Sequence, residues 1–372
     1  MIRNVKRQEW DDFMRFLERC YGFQPGWFTL HYPTIYDPDR TPLDCFHVIE
    51  KNGRIVAHAG LFPLRVMAEG VELVVGGIGG IGTLPEERGQ GHMQELLRHL
   101  IVRMQELGMP LSALWGFRQR YAPFGYESAG ERVSMEFTEH SFTKAGVAPD
   151  PAIREVTAEE AKSEIKPLHA GQLFRVLRSD WHPIGVRRPE VRLWIGAHGY
   201  LCGWTREDRL VVREVVSASG REPSLIMAAM RRNSLQKAQA AATVHDEERV
   251  ARLLVPAESW TISPEGMFRI NNCYALLKAF QPMLQRKAGA LELRDFAFSI
   301  GVRYGNEVDV AGIHWQSGLL DVTRDKVAQH MEIECHAAIR LLLGGPPSGA
   351  GCLGGLSALL PLPISIPELD RV

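Results

Sequence analysis

The segment Arg88-Gly-Gln-Gly91 stands directly before a long apolar pattern, which predicts a helix from Met93 to Leu107 with Gly108 as its C-terminal cap. The N–H groups of a first helical turn have no partner inside the helix, so they and the helix dipole favour an anion at the N-terminus. The glycines permit close approach, and Arg88 can add a bidentate contact to phosphate oxygens. A tight strand-to-helix turn with an exposed arginine explains the same four residues equally well.

A second glycine-rich segment, Gly77-Ile-Gly79-Gly-Ile-Gly82, has the spacing G-x-G-x-x-G of a dinucleotide-binding turn. In that motif a helix begins within the glycines, and an acidic residue follows at the end of the next strand, about 20 residues further on. Here Thr-Leu-Pro follows Gly82, and neither requirement is met. A flexible or bulged strand is the simpler interpretation. The chain also lacks the Gly-Lys-Ser/Thr of a P-loop.

A tyrosine motif, Arg120-Tyr121-Ala-Pro-Phe-Gly125-Tyr126, follows a predicted buried strand at Leu111–Trp115. This order of turn, helix, strand and tyrosine motif resembles the GNAT superfamily of acetyl-CoA-dependent N-acetyltransferases. In that family R-x-x-G-x-G/A at a helix start binds the CoA pyrophosphate, and F-Y-x-x-x-G-F follows the next strand. The combination is more specific than either motif alone.

The resemblance implies an acetyl-CoA site around the first motif, which Arg88 and Gly91 match, with Met93 at a position where Gly or Ala is usual. In similar enzymes the strand before the turn pairs its backbone with the pantetheine arm, which corresponds here to Ile81 and Thr83. The predicted cofactor-binding residues are Ile81, Thr83, Arg88, Gly89, Gln90, Gly91, His92 and Met93.

Tyr121 is the candidate general acid. Acetyl transfer from a thioester to an amine needs a neutral amine, donors near the carbonyl oxygen and a proton for the departing thiolate. A phenol with a pKa of about 10 is protonated at neutral pH and can give its proton to a thiolate of comparable basicity. A ring that fills space beside Phe124 is the structural alternative, and packing is the preferred interpretation of Tyr126.

The remaining two thirds of the chain resemble the Eis-like (enhanced intracellular survival) branch of these enzymes. No second R-x-x-G-x-G occurs after Thr138. The implied fold class is α+β: a GNAT mixed sheet with flanking helices, a second GNAT-like domain, and a C-terminal α/β domain like sterol carrier proteins. The corresponding domains are 1–145, which binds acetyl-CoA, 146–266, which lacks CoA motifs, and 267–372.

The resemblance makes the C-terminal residue the candidate base, because in the Eis-like branch the terminal carboxylate reaches into the active site. The segment from Pro361 to Val372 is apolar and stiffened by proline, so we expect it to be docked. The α-carboxylate of Val372 would then act directly or through a water. An apolar tail that packs only on its own domain is the alternative.

The aromatic loop from Trp27-Phe28 to Tyr36-Asp37 lies where GNAT enzymes form the acceptor pocket. Its acids could hold a cationic amine, and aromatic core packing is the alternative. His330 and Glu334 fall at helical spacing before Cys335-His336, yet they form no complete ligand set, so no metal is expected.

The local patterns also predict individual elements. Helical spacing from Trp10 to Leu17 predicts a helix that ends near Gly22, and Asn52-Gly53 predicts a hairpin turn. Other predicted segments are strands at Cys45–Glu50, Ile55–Phe62, Val66–Val75, Leu210–Val216, Leu291–Phe298 and Leu319–Val322, and helices at Ala158–Ser163, Leu225–Met230, Ala275–Leu284 and Ala337–Leu343.

Composition limits the partners and the compartment. The 372 residues carry a net charge of -1 with a pI near 6.9, which argues against nucleic acid as the main partner. The six cysteines are far apart and are expected to be reduced thiols. The N-terminus lacks an apolar signal core, and the most apolar segment, Leu356–Ile366, is broken by prolines, so a cytoplasmic protein without membrane insertion is expected.

The predicted function is transfer of acetyl from acetyl-CoA to a primary amine, on a small molecule or an exposed lysine, by direct attack in a ternary complex. Direct attack is favoured because no cysteine lies near the motifs as an acyl carrier. The alternatives are a non-catalytic ligand-binding protein of the same fold and transfer of another acyl group. A homo-oligomer is left open.

Overall fold

The computed structural model describes residues 1–178, 190–345 and 355–372, and within them the chain is a mixed α+β protein with two sheets. The first sheet contains β1 (Ile2–Asn4), β2 (Phe46–Lys51), β3 (Arg54–Ala68), β4 (Val71–Thr83), β5 (Leu111–Leu114), β6 (Glu127–Thr138), β7 (Arg154–Val156), β8 (Phe174–Val176), β9 (Arg192–Gly196), β10 (Gly199–Arg206), β11 (Arg209–Ser217), β12 (Lys237–Thr243) and β13 (Ser259–Ile270). The second sheet contains β14 (Phe296–Tyr304), β15 (Glu307–Gln316), β16 (Leu319–Thr323) and β17 (His330–Glu334).

The helices flank these sheets. They are α1 (Trp10–Tyr21), α2 (Trp27–His31), α3 (His92–Glu106), α4 (Arg118–Tyr121), α5 (Glu139–Lys144), α6 (Ala158–Ala170), α7 (Glu222–Arg232), α8 (Glu247–Leu254), α9 (Cys273–Ala290), α10 (Cys335–Leu343) and α11 (Gly355–Leu359). The two longest predicted helices are confirmed. Gly22 ends α1 in the left-handed conformation, and Gly108 does the same after α3.

The large sheet has the order β1-β2-β3-β4-β5-β13-β6-β12-β11-β10-β9-β7, with β8 beside β3. Its first hairpin turns at Asn52-Gly53, where both residues have positive φ, as the sequence predicts. The predicted strand Val66–Val75 is wrong as a single strand, because Glu69 and Gly70 also have positive φ and form a second turn between β3 and β4.

One late strand completes the N-terminal part of the sheet. β13 lies between β5 and β6 and is antiparallel to both, with Ile270 opposite Leu111 and Met267 opposite Ser128. Because it pairs with strands more than 120 residues earlier, sheet pairing alone does not delimit folding units. The division at residues 145 and 266 stays a prediction.

The second sheet has the order β16-β15-β14-β17, and α9 packs on it. Two predictions fail here. The strand predicted at Leu291–Phe298 begins only at Phe296, because α9 continues to Ala290 and Leu291 is exposed in the turn that follows. His330 and Glu334 lie in β17 rather than in a helix, since Ser299 of β14 pairs with His330 in parallel register.

The glycine- and proline-rich segment after Gly345, with Cys352, lies outside the described residues. The other five cysteines are unpaired and buried. Within the described ranges, no helix combines the length and apolar character needed to span a bilayer. The same residues contain no group of three His, Cys, Asp or Glu side chains placed to hold a metal ion.

Candidate active site

The site forms where two parallel strands separate. β4 and β5 pair only from Val75–Leu111 to Gly77–Ala113, and beyond Gly77 the two strands diverge. Two cavities open along this divergence, one towards the start of α3 and one between residues 78–81 and 114–117. Tyr21, Ile81 and Arg120 line both cavities, so a ligand in one can meet a ligand in the other.

The first cavity is a groove of about 880 Å³ at the N-terminus of α3. Gly91 is the N-cap of this helix, with a positive φ of 84°, and its side-chain position would lie 3.1 Å from Oε1 of Gln94. The first-turn N–H groups of α3 therefore face a concave surface, which favours an anion such as a pyrophosphate. We call this cavity the cofactor groove.

The predicted cofactor residues are brought together around this groove, with one exception. Ile81, Thr83, Arg88, Gly89, Gly91, His92 and Met93 line it. The side chain of Gln90 is turned away and hydrogen bonds to Glu87 and Lys51, at 2.9 and 3.1 Å. Met93, which replaces the usual small residue of the motif, is half-buried and packs against the N-terminal core as well.

Arg88 supports the groove through its own hydrogen bonds. Its guanidinium donates to the carbonyl oxygen of Cys20 at 2.9 Å and to that of Thr83 at 3.3 Å. These bonds tie the turn to the end of α1 and to β4. Ile81 is held in a similar way, since the hydroxyl of Tyr21 donates to its carbonyl oxygen at 2.9 Å. These contacts within the protein hold the turn in a defined shape.

The second cavity, of about 390 Å³, is lined mainly by aromatic rings. The predicted residues Trp27, Phe28 and Tyr36 are among them, and both Tyr121 and Val372 line it as well. The predicted Asp37 is not brought into it, because its carboxylate pairs with Arg40 at 3.2 Å and caps the N–H of Asp39 at 2.9 Å. We call this cavity the acceptor cavity.

Tyr121 is held in place by packing. Its ring lies against Gly116, where a side chain would come within 2.5 Å of Cε2, and its centroid is 6.5 Å from that of Tyr126. Burial raises the pKa of Tyr121, and the neighbouring Arg120 opposes part of this rise. The phenol therefore keeps its proton throughout the neutral pH range.

Val372 reaches the acceptor cavity because β4 has glycines opposite it. A Cβ atom at Gly79 would lie 2.7 Å from the carbonyl carbon of Val372, and one at Gly77 would lie 2.7 Å from its Cγ2. The glycine segment that mimics a dinucleotide motif therefore makes room for the last residue of the sequence. Glycine on a buried strand is a known sign of such close approach, but the sequence does not say what approaches.

The tail before Val372 is docked, as its composition predicts, since Leu362, Ile364, Ile366 and Leu369 are all buried. Arg371 donates to both the carbonyl and the carboxylate of Glu265 at 3.0 Å, and it lies over the ring of Trp115. These contacts align the final residues with β5 and β13.

Asp370 is anchored by a buried ion network. Arg178 donates to Asp370 at 2.6 and 2.7 Å and to Glu214 at 2.7 Å, and Tyr200 donates to Glu214 at 2.6 Å. The side chains of Arg178, Asp370 and Glu214 are no more than 5% exposed. Burial alone would raise the pKa of Glu214, but the charges of Arg178 and His169 and the hydrogen bonds from Arg178 and Tyr200 together outweigh it and lower that pKa to about 2. The network therefore holds the tail two residues before its end.

Arg178→Met is expected to lower the free energy of unfolding by about 3–5 kcal/mol, because it leaves two buried carboxylates without their cation. Denaturant unfolding followed by tryptophan fluorescence measures this change. Arg192→Met is the matched control, since its ion pair with Glu155 is more than a third exposed and should contribute about 0–1 kcal/mol. Equal effects of the two substitutions would contradict the anchoring role of Arg178.

Several lining residues escape sequence reasoning. They are Tyr21, Phe23, Tyr32, Trp115, Phe117 and Arg120. The sequence carries a partial signal for three of them: Tyr32 lies within the predicted aromatic loop, Trp115 ends the predicted strand Leu111–Trp115, and Arg120 begins the tyrosine motif. Nothing local shows that these segments meet.

Cys20 lines the cofactor groove, so the expectation that no cysteine near the motifs is placed as an acyl carrier depends on the state of its thiol. The end of α1 lies beside β4, where a Cβ at Gly82 would be 3.0 Å from that of Cys20. Burial raises the pKa of the Cys20 thiol to about 12, so it is protonated at neutral pH. A protonated thiol is a poor acyl carrier.

The strand order, the divergence of β4 and β5 and the helix that begins at the glycine turn define the GNAT fold. Residues 1–129 match the family profile described as an acetyltransferase (GNAT) domain. No curated protein sequence gives a significant match.

Several solved structures share this fold over most of the chain. A GCN5-related N-acetyltransferase from Kribbella flavida has a TM-score of 0.71 at 17% identity, covering 100% of this chain and 98% of that chain. A probable N-acyltransferase from Enterococcus faecalis has a TM-score of 0.70 at 16% identity, covering 92% of this chain and 89% of that chain. Eis1 from Mycobacterium abscessus has a TM-score of 0.66 at 15% identity, covering 96% of both chains. At these identities the similarity concerns the fold.

Proposed function

We propose that this protein is an N-acetyltransferase of the Eis-like type, which transfers acetyl from acetyl-CoA to a primary amine in a ternary complex. The observation that carries the proposal is the junction of the two cavities. The cofactor groove meets the acceptor cavity at Tyr21, Ile81 and Arg120, and the acceptor cavity contains a phenol and the terminal residue. A thioester and an amine can therefore meet beside an acid and a base.

Acetyl-CoA would supply the acetyl group as a thioester, and its pyrophosphate is the kind of anion that the positive end of α3 favours. The α3 N-terminus and the turn from Arg88 to Gly91 would bind its pyrophosphate. The backbone of β4 at Ile81 and Thr83, on the open edge of the strand, would pair with the pantetheine arm. Acetyl-CoA bound in this way would direct its thioester towards Tyr121.

In the reaction, the neutral amine nitrogen forms a bond to the thioester carbon, and the carbon–sulfur bond breaks. The carboxylate of Val372, directly or through a water, takes the proton that the attacking nitrogen loses. Tyr121 gives its proton to the departing sulfur, which leaves as the CoA thiol. Val372 then carries a proton and Tyr121 lacks one, and solvent restores both groups. Cys20 takes no part, since its thiol is protonated.

The organisation of the rest of the chain is a further part of the proposal. We assign 146–266 to a second GNAT-like domain because β11 and β12 repeat the arrangement of β4 and β5, pairing in parallel over only three residue pairs. The tail residues Pro367 and Glu368 lie in the cleft next to these strands. Residues 267–372 would form the sterol-carrier-like domain. The buried free thiols fit a reducing compartment such as the cytoplasm.

Calorimetric titration with acetyl-CoA, combined with a thiol assay of CoA release in the presence of primary amines, tests the proposed function. We expect saturable binding and amine-dependent release of CoA. A folded protein that binds no acetyl-CoA would instead be a non-catalytic ligand-binding protein. Binding without turnover of acetyl, but with turnover of a longer acyl-CoA, would change the assigned acyl group.

A C-terminal Gly-Ser extension is expected to lower kcat by at least about tenfold, because a base must lie within about 3 Å of its proton or one water away. Acetyl-CoA binding should change little, since Val372 does not line the cofactor groove. The control is the same extension at Met1, which is 91% exposed. Normal turnover of the C-terminally extended enzyme across the pH range would remove Val372 from the mechanism.

A further inference from the structure

The acceptor cavity contains aromatic rings and no acidic side chain among the described residues. Six of its rings are Phe23, Trp27, Phe28, Tyr32, Trp115 and Phe117. Trp27 stacks on Phe23 with ring centroids 3.9 Å apart and on His31 at 4.1 Å. The part of the wall around Trp27 is therefore a packed aromatic surface, which suits an apolar body.

The carboxylates closest in sequence to these aromatic residues form ion pairs or hydrogen bonds outside the cavity. Asp37 pairs with Arg40, and Asp39 pairs with Arg7 at 2.7 Å. Glu18 is buried and accepts the backbone N–H of Gly26 at 2.6 Å. None of the three lines the acceptor cavity.

Arg120 is the one charged side chain that lines the acceptor cavity within the described part of the chain. It is exposed at the junction with the cofactor groove, and its guanidinium lies 6.0 Å from the centroid of Phe117. No described carboxylate forms an ion pair with it. The cavity thus offers one positive side chain, and Val372 lines it as well.

We propose that the acceptor is a monoamine with an aromatic or aliphatic apolar body, and that Arg120 selects against amines with a second positive charge. This inference rests on the proposed N-acetyltransferase function. One nitrogen is matched by one carboxylate at Val372, while a second ammonium group has no carboxylate to meet and faces Arg120. Aromatic faces also attract ammonium groups, but they do so without removing this repulsion.

A matched pair of amines tests the inference. Hexylamine and 1,5-diaminopentane have the same length, and one carries a methyl group where the other carries an ammonium group. We expect kcat/KM to be at least about tenfold higher for hexylamine, the low end of what a single group in a pocket discriminates. 2-Phenylethylamine should rank with hexylamine, and spermidine should rank with the diamine.

Substitution of Arg120 separates its charge from the shape of the cavity. Arg120→Glu should reverse the ratio of kcat/KM between the two amines, and Arg120→Gln should bring it towards one. A change in the pKa of Tyr121 affects both amines equally, so it cancels in the ratio. Arg103→Gln is the control, because this half-exposed arginine lines neither cavity, and it should keep the wild-type ratio.

The outcomes distinguish this inference from the proposed function. A preference for 1,5-diaminopentane or spermidine, with acetyl-CoA still turned over, would overturn the inference and leave the acetyltransferase intact. Absence of acetyl-CoA binding would instead overturn the proposed function. Calorimetric binding of the two amines to the CoA-bound protein provides the ranking independently of turnover, and equal affinities would also contradict the role of Arg120.

Discussion

Tyr121→Phe is expected to lower kcat by about 10²–10⁴, the range associated with loss of one general acid. The substitution keeps the ring against Gly116 and removes only the hydroxyl, so the Kd for acetyl-CoA should change little. Steady-state kinetics and calorimetry measure the two quantities separately. Because burial raises the pKa of Tyr121, the wild-type activity should persist to alkaline pH and fall only where the phenol loses its proton.

Tyr126→Phe is the matched control. Its hydroxyl is buried and hydrogen bonds to Oγ of Ser112 at 2.8 Å, outside both cavities. Removing it should cost about 1 kcal/mol of stability and leave kcat near the wild-type value. If Tyr121→Phe retained full activity, or if both variants lost activity equally, Tyr121 would be a packing residue.

Gly91→Glu is expected to abolish acetyl-CoA binding, with a rise in Kd of more than about 100-fold. The new carboxylate would occupy the positive end of α3, where an anion is bound in the proposed complex. Its backbone would also be strained, because a side chain at φ 84° is unfavourable and would meet Gln94. Calorimetry with acetyl-CoA gives the Kd, and circular dichroism verifies the fold.

Gly108→Glu provides the control for both charge and strain. Gly108 follows the C-terminal end of α3, has φ 68°, and has no atom within 4 Å of its side-chain position. Gly108→Glu introduces the same kind of backbone strain and the same negative charge as Gly91→Glu, but away from the groove. Unchanged acetyl-CoA affinity in a folded Gly91→Glu protein would refute the proposed role of the glycine turn.

Local patterns in the sequence predict those parts of the fold that depend on neighbouring residues. The helix before Gly22, the hairpin at Asn52-Gly53 and the helix before Gly108 each combine a clear period with a residue suited to positive φ. The cofactor-binding residues could be predicted in the same way, because one turn carries most of them. Their assembly around one groove could therefore be predicted from a short segment.

Patterns fail where the deciding partner is distant. A spacing of four residues fits a helix and also one face of a strand, so only the pairing of β17 with β14 places His330 and Glu334. Asp37 lies in the predicted loop, but its carboxylate pairs with Arg40 instead of lining the acceptor cavity. The position of Val372 depends on Gly77 and Gly79, almost 300 residues earlier in the chain.

The insertion of β13 between β5 and β6 constrains how the chain can be made. Until residues 259–270 leave the ribosome, both neighbouring strands have an unpaired edge, and such edges promote mispairing and aggregation. At ~5–20 residues per second, the roughly 120 residues that separate β6 from β13 take on the order of ten seconds to synthesise. The nascent N-terminal segment is therefore exposed to mispairing during this interval, and we expect a fragment truncated before β13 to be recovered mainly in inclusion bodies.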